Sequence, residues 1–192
     1  MHQGLPQGSV LAPILFVFYI NSLAELLPDY NFNALFADDV SILAQDTNKE
    51  AAVMKAQAGV DIVVEWSAEW KVNLNIGKSD NSFFSTSPNI SETRYEPLIT
   101  IDGKPIKLSP TPRLLGVYLD RKISYGKHVD VVVDRVKSKL CMLSAVSKTD
   151  WGWKKYDLKK LYTAHDKSIF EYAGSTWQPW LRDSNIERLE VV

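Results

Sequence analysis

The 192-residue chain has few of the cysteine and histidine residues that disulfide-bonded and zinc-stabilised folds need. It contains a single cysteine, Cys141, so no internal disulfide can form, and a reducing compartment is favoured. Because Cys141 lies in an apolar helical pattern, we expect a buried and unreactive thiol. Three scattered histidines beside one cysteine do not match the ligand spacing of a structural zinc site. The sequence therefore excludes a disulfide scaffold and argues against a zinc module.

Long hydrophobic runs and an excess of one charge are missing as well. The apolar run over residues 10–20 is too short to span a bilayer and is interrupted by Pro13, so we expect no membrane partner. The net charge of −1 does not by itself indicate a nucleic-acid partner. A hydrophobic content of 45% and a charged content of 23% are typical of a globular protein. The length suits one ordinary domain, or a domain with a small appendage.

The charged residues are unevenly distributed along the chain. Residues 1–60 carry two Lys against six Asp and Glu, whereas residues 121–167 carry twelve Lys and Arg against five Asp and Glu, a net charge of +7. A basic block after an acidic segment is compatible with a phosphate backbone held beside a metal site. A solvated basic helix face explains the same block, and composition alone favours that interpretation.

The most informative stretch is Phe36-Ala37-Asp38-Asp39, which has apolar, β-prone residues on both sides. Asp tolerates turn geometry and interrupts strands, so the pattern predicts a β-hairpin over residues 32–44 with two adjacent carboxylates at its tip. Carboxylates this close repel each other unless a cation neutralises them. Mg²⁺ (or Mn²⁺) is the metal that carboxylates hold beside substrate phosphates. A bare pair of aspartates is more often a solvated loop tip, so the hairpin alone does not show whether the two aspartates bind a metal.

Hydrophobic spacing also predicts several helices. Asn48 or Thr47 can cap one of them, and Asp102-Gly103 predicts a tight hairpin turn within an exposed excursion. The helix that begins near Ser124 carries an apolar stripe of valines and leucines. The predicted helices cover about residues 13–27, 47–70, 124–146 and 156–173.

A second motif, Gly4-Leu5-Pro6-Gln7-Gly8-Ser9, lies upstream of the paired aspartates. In this order and spacing the two motifs resemble those of reverse transcriptases, most closely those of non-LTR retrotransposons. Group II intron proteins and telomerase also carry paired aspartates and stay as alternatives. The resemblance implies an α+β fold, with an incomplete polymerase palm (an antiparallel sheet with helices) over residues 1–120. A helical thumb-like region, truncated at the C-terminus, would follow over residues 121–192.

Further segments are similar to the same family. Lys78 lies near the position of a lysine that approaches the incoming triphosphate in relatives, although a surface turn lysine is an equal alternative. Residues 114–120 read as a buried strand and resemble a family strand near the 3′ end of the primer, which gives Leu115 and Gly116 a primer-side role. His128 follows at the spacing of a family histidine, but a structural role is the favoured interpretation.

The resemblance implies synthesis of DNA from an RNA template, a DNA primer and deoxynucleoside triphosphates. Asp38 and Asp39 would be the catalytic metal ligands, with Asp38 the more direct one, and Lys78 would protonate the leaving pyrophosphate. An intracellular ribonucleoprotein, nuclear or cytoplasmic, is expected. The residues that would line the nucleotide and template are Pro6, Gln7, Gly8, Phe36 and Ala37.

In relatives, a third catalytic carboxylate and the fingers lie upstream of the Pro-Gln-Gly loop. Since the sequence starts three residues before Gly4, we expect neither in this chain, and we expect the chain alone to be an inactive fragment.

Two alternative functions stay open. One is a remnant that holds nucleic acid through residues 121–167 without catalysis, and the other is an unstable relic. Trp177 and Trp180 could stack on bases, although core packing is the favoured interpretation.

Overall fold

The computed structural model describes residues 8–85, 99–147 and 152–190, so the predicted site residues Pro6 and Gln7 lie outside the described part. Its contacts divide the chain into two compact units. The first holds residues 8–81 and 99–108, and the second holds residues 82–85, 109–147 and 152–190. Each unit combines helices with small two-stranded sheets, which is compatible with the predicted α+β class.

The first unit is built around a hairpin and two helices. Helix α1 (Ala12–Leu26) has a proline in its first turn, where the missing N–H costs nothing. Strands β1 (Asn31–Phe36) and β2 (Asp39–Ala44) form the predicted antiparallel hairpin. Helix α2 (Lys49–Glu69) is capped by Asn48, as predicted, because the Asn48 side chain accepts the N–H of Glu50 at 2.9 Å. The unit also contains a short 3₁₀ helix (Ile76–Lys78), β3 (Asp80–Asn81), β4 (Thr100–Ile101), β5 (Lys104–Pro105) and β6 (Lys107–Leu108).

The core of the first unit lies between α1, α2 and the inner face of the hairpin. Trp66 of α2 is buried, and its indole N–H donates to the Ser22 hydroxyl of α1 at 2.9 Å. Tyr19 of α1 donates its hydroxyl to the Trp70 carbonyl at 2.6 Å. These two bonds fix α1 against α2. The buried apolar residues are Leu23, Leu27, Val63 and Trp66, and Leu35, Val40 and Ile42 of the hairpin pack against them.

Gly59 in the middle of α2 sets how closely the hairpin approaches the helix. A Cβ at Gly59 would lie 3.0 Å from Asn31 Nδ2 and 3.1 Å from Ile42 Cγ2, which is too close for an ordinary contact. The Asn31 side chain also donates to the Lys55 carbonyl at 3.1 Å. The lack of a side chain at Gly59 and the hydrogen bond from Asn31 to Lys55 therefore let the open end of the hairpin pack closely on α2.

The second unit packs helices around a short hairpin. Its core contains Val117, Tyr125, Val129, Val133 and Trp177, and the predicted apolar stripe of the helix after Ser124 is confirmed by the burial of Val129, Val132, Val133 and Val136. The elements are β7 (Arg113–Leu114), β8 (Val117–Tyr118), α3 (Gly126–Val146), α4 (Lys155–Glu171), α5 (Gly174–Trp177), a short 3₁₀ helix (Gln178–Trp180) and α6 (Asp183–Glu190).

Three expectations about burial were wrong. Residues 114–120 do not form one buried strand, because Leu115 and Gly116 take positive φ values of 44° and 90° and reverse the chain between β7 and β8. Cys141 is exposed, since it lies three residues after Ser138 on the solvent side of α3 rather than on the valine stripe. Trp177 is fully buried as expected, but Trp180 is 70% exposed.

His128 has the environment of a structural histidine. It is buried, its Nδ1 accepts the Tyr118 N–H at 3.4 Å, and its ring meets the Trp177 ring edge-on with centroids 4.9 Å apart. Burial, and then the positive charge of Arg135, lower the pKa of His128 below its usual 6.5. Its surroundings between β8 and the core therefore favour the neutral imidazole.

Candidate active site

The tip of the first hairpin brings four predicted site residues together. Phe36 pairs with Asp39, so Ala37 and Asp38 form a two-residue turn. Ala37 takes a φ of 50°, in the left-handed region, which costs an L-residue about 1–2 kcal/mol. A two-residue hairpin turn takes a positive φ at its first central residue, so this conformation belongs to the hairpin itself. Leu35 and Val40, which flank the turn, pack on the core of the first unit.

Both carboxylates at the tip are exposed and unpaired. Asp38 lies in the turn and Asp39 begins β2. Among the described residues, neither carboxylate accepts a hydrogen bond or forms an ion pair. Phe36, which is 63% exposed, shares the outer hairpin face with Asp39 because cross-strand partners point to the same side. The tip thus presents two free carboxylates beside an exposed aromatic ring.

The chemistry of this pair fits a hard divalent cation. Carboxylate oxygens are the ligands that Mg²⁺ and Mn²⁺ prefer, and Mg²⁺ commonly takes one or two carboxylates and completes its shell with water and substrate phosphates. Within the described ranges, no third His, Cys, Asp or Glu joins Asp38 and Asp39 in a metal-binding group. The tip therefore offers part of a ligand set, and the rest must come from other groups.

Two other predicted residues of the first unit lie outside this cluster. Gly8 takes a φ of 85°, which glycine adopts without strain, and is exposed. Lys78 ends the short 3₁₀ helix and is exposed, and its backbone N–H donates to Asn75. In the described part of the chain, no contact links the Lys78 ammonium to Asp38 or Asp39. The proposed acid role of Lys78 stays a prediction.

The predicted primer-side residues form the turn of the second hairpin. Leu115 and Gly116 connect β7 to β8, and Leu115 is 43% exposed. Sequence reasoning missed Tyr172, whose hydroxyl donates to the Leu115 carbonyl at 2.7 Å. The two residues are 57 positions apart, and no local pattern links them.

Sequence reasoning also missed what Asp120 does. Its carboxylate accepts the backbone N–H of Lys122 at 3.1 Å and that of Ser124 at 3.0 Å, and it also accepts the Ser124 hydroxyl. Burial acts to raise the pKa of Asp120, but the hydrogen bonds from Ser124, Lys122 and Gly126 outweigh it and lower the pKa below 3.8. Asp120 therefore shapes the turn that leads from β8 into α3.

None of the helices within residues 8–85, 99–147 and 152–190 is both long enough and apolar enough to cross a membrane.

Residues 1–119 match the family described as Reverse transcriptase (RNA-dependent DNA polymerase). The chain is 28% identical over 198 residues to the Drosophila melanogaster protein named "Probable RNA-directed DNA polymerase from transposon X-element", covering 98% of this chain and 20% of that protein. It is 31% identical over 132 residues to the Drosophila funebris "RNA-directed DNA polymerase from mobile element jockey", covering 66% of this chain and 14% of the relative.

The chain matches a larger share of a third relative. The Nasonia vitripennis "Retrovirus-related Pol polyprotein from type-1 retrotransposable element R1" is 26% identical over 181 residues, which are 91% of this chain and 52% of that protein. The chain thus spans only 14–20% of the X-element and jockey relatives. No solved structure matches it significantly.

Proposed function

Because the chain belongs to the reverse transcriptase (RNA-dependent DNA polymerase) family, we propose that it supplies the paired-aspartate hairpin and a primer-side turn to RNA-directed DNA synthesis by a non-LTR retrotransposon. Residues 1–120 would form part of the palm and residues 121–192 part of the thumb. The substrates would be an RNA template, a DNA primer and deoxynucleoside triphosphates. The complex would act inside the cell as a nuclear or cytoplasmic ribonucleoprotein.

One observation carries this proposal. The segment that matches the family contains two exposed carboxylates without a protein partner, held at a strained turn. The two-residue hairpin turn fixes the backbone that carries both carboxylates. A site that must present negative charge to a cation needs a fixed backbone, because misplacement of a metal ligand is costly for catalysis.

The proposed roles of the site residues rest on the family resemblance. Asp38 and Asp39 would hold Mg²⁺ (or Mn²⁺), which, when bound, supplies charge neutralisation at the triphosphate. Phe36 and Ala37 would support that site from β1 and the turn. Lys78 is the candidate acid for pyrophosphate. The remaining roles are nucleotide and template contact for Pro6, Gln7 and Gly8, and primer contact for Leu115 and Gly116.

Primer extension tests whether the chain can synthesise DNA by itself. The purified chain is incubated with an RNA template, a DNA primer, deoxynucleoside triphosphates and Mg²⁺. We expect no incorporation, because the described residues bring only two carboxylates to the tip and two-metal synthesis needs further ligands. Mg²⁺-dependent extension that Asp38→Asn abolishes and Asp29→Asn leaves intact would contradict the expected inactivity, while supporting the assignment of Asp38.

A second candidate function, nucleic-acid binding without synthesis, is favoured by the start of α4. Lys155, Lys159 and Lys160 are exposed, and no described acidic side chain forms an ion pair with them. Lys155 lies in the first turn of α4, where a positive charge opposes the helix dipole, so the dipole does not explain this lysine. The Lys160 ammonium lies 4.4 Å from the ring centroid of Tyr156, which is 66% exposed. Exposed aromatics among lysines are suited to bind a phosphate backbone and its bases.

The α4 lysines give a measurable prediction. We expect the double variant Lys159→Gln, Lys160→Gln to bind an RNA–DNA hybrid more weakly. The slope of log Kd against the logarithm of the salt concentration should fall by about 1–2. Fluorescence anisotropy from about 50 to 200 mM salt measures this slope. Lys167→Gln is the matched control, because Lys167 on the same helix is paired with Glu171 at 3.1 Å. Absence of hybrid binding at low salt would contradict both candidate functions.

A further inference from the structure

The turn between β7 and β8 takes a conformation that its sequence does not favour. Both central residues have positive φ, 44° at Leu115 and 90° at Gly116. Gly116 adopts this geometry freely, but a leucine does not, because its Cβ crowds the following carbonyl. Each flanking strand has only two residues. So short a ladder gives the turn little support, and the conformation must be held by tertiary contacts.

Tyr172 supplies those contacts from the end of α4. Its hydroxyl donates to the Leu115 carbonyl at 2.7 Å. Its ring also covers Gly116, since a Cβ added there would lie 3.1 Å from Tyr172 Cε1 and 3.3 Å from its hydroxyl oxygen. One side chain therefore bonds to the first turn residue and packs on the second.

Tyr172 is itself fixed by the core of the second unit. It is the C-cap of α4, and its N–H donates to the Ser168 carbonyl at 3.1 Å. Its own carbonyl accepts the indole N–H of Trp177 at 3.0 Å, and Trp177 is fully buried. Both backbone polar groups of Tyr172 are thus hydrogen-bonded, although its side chain is more than half exposed.

We propose that Tyr172 is a positioning residue that holds the Leu115–Gly116 turn in the shape that contacts the primer strand. The inference rests on the proposed primer-side role of that turn. Burial does not explain the contact, because Tyr172 is 56% exposed and Leu114 and Leu115 are 41% and 43% exposed. The hydroxyl orders a surface turn that presents apolar side chains outward, which suits contact with a partner.

The test compares Tyr172→Phe, which removes only the hydroxyl, with Tyr162→Phe, a control on the same helix that is also partly exposed. Hydrogen exchange of the Gly116 and Val117 amides reports the turn. Binding of a recessed primer–template and of a blunt hybrid of equal length reports primer-end recognition. For Tyr172→Phe we expect about fivefold faster exchange and about fivefold weaker binding of the recessed duplex, the effect of one lost hydrogen bond. Binding of the blunt hybrid should not change. Tyr162→Phe should change neither the exchange rates nor the binding of the recessed duplex.

Faster exchange with an unchanged preference for the recessed end would overturn the inference and leave Tyr172 a purely structural residue. Unchanged exchange would overturn it as well. Failure of the wild-type chain to prefer the recessed end would refute the primer-side role itself, and the exchange data would still report whether Tyr172 holds the turn.

Discussion

Replacing Trp177 with alanine is expected to lower the free energy of unfolding of the second unit by about 3–5 kcal/mol. Trp177 is fully buried and belongs to the core cluster that includes Val129 and Val133. Its truncation leaves a large cavity, removes the edge-on contact with His128, and leaves the Tyr172 carbonyl without the indole donor. Chemical denaturation followed by far-ultraviolet circular dichroism measures the loss without depending on tryptophan fluorescence.

Trp180 provides the matched control for this prediction. It lies three residues further along, but 70% of its surface is exposed. We expect Trp180→Ala to change the free energy of unfolding by no more than about 0.5 kcal/mol, as surface substitutions usually do. Equal losses in the two variants would contradict the assignment of Trp177, rather than Trp180, to the core.

Replacing Asp166 with alanine should have the opposite effect and stabilise the second unit by about 1–3 kcal/mol. Asp166 lies in α4 and is fully buried, and neither carboxylate oxygen has a hydrogen-bond partner among the described residues. A buried carboxylate without a partner loses its hydration and gains nothing in return. Alanine removes that cost and is the best helix former. The midpoint of urea denaturation should rise.

Asp157 on the same helix is the control for Asp166. It is exposed and lies in the first turn of α4, where a negative charge favours the helix dipole. Asp157→Ala should therefore be neutral or slightly destabilising, by less than about 1 kcal/mol. A loss of stability in Asp166→Ala would show that the buried carboxylate has a stabilising partner, contrary to the desolvation cost on which the expected gain depends.

Local chemistry explains why several elements could be predicted from the sequence. Asn48 caps α2 because its short side chain reaches the N–H of Glu50. Asp102 and Gly103 make the predicted turn between β4 and β5, with φ values of 51° and 70°. In each case the deciding interaction lies within a few residues, so the sequence pattern contains it.

The second hairpin shows where local reasoning fails. An apolar run with one glycine is equally compatible with a buried strand and with two short strands around a turn. The turn is in contact with Tyr172, which is 57 residues away and donates its hydroxyl to the Leu115 carbonyl. Periodicity cannot include such a distant contact, and the prediction of one buried strand was wrong for that reason.

The candidate site likewise has a part that could be predicted from local sequence and a part that could not. The hairpin with its two adjacent carboxylates was predicted from the two β-prone runs on either side of Ala37-Asp38-Asp39, and the structure confirms the hairpin. The packing of the hairpin on α2 could not be predicted, because it depends on the contact of Gly59 with Asn31, which lies 28 positions away in the sequence. Whether Lys78 acts on the same substrate as Asp38 stays a prediction.

The measurement that tests the metal-site assignment most directly is the binding of Mn²⁺ to the tip of the first hairpin. Mn²⁺ can replace Mg²⁺ at carboxylate sites, and it broadens the amide resonances of nearby residues. We expect broadening centred on residues 36–40 at low Mn²⁺ concentration. Asp38→Asn should abolish it, Asp39→Asn should weaken it, and Asp29→Asn, a change at another exposed acid of the same unit, should leave it unchanged. Broadening spread evenly over exposed acids, or unaffected by Asp38→Asn, would contradict the assignment of this hairpin as a metal site.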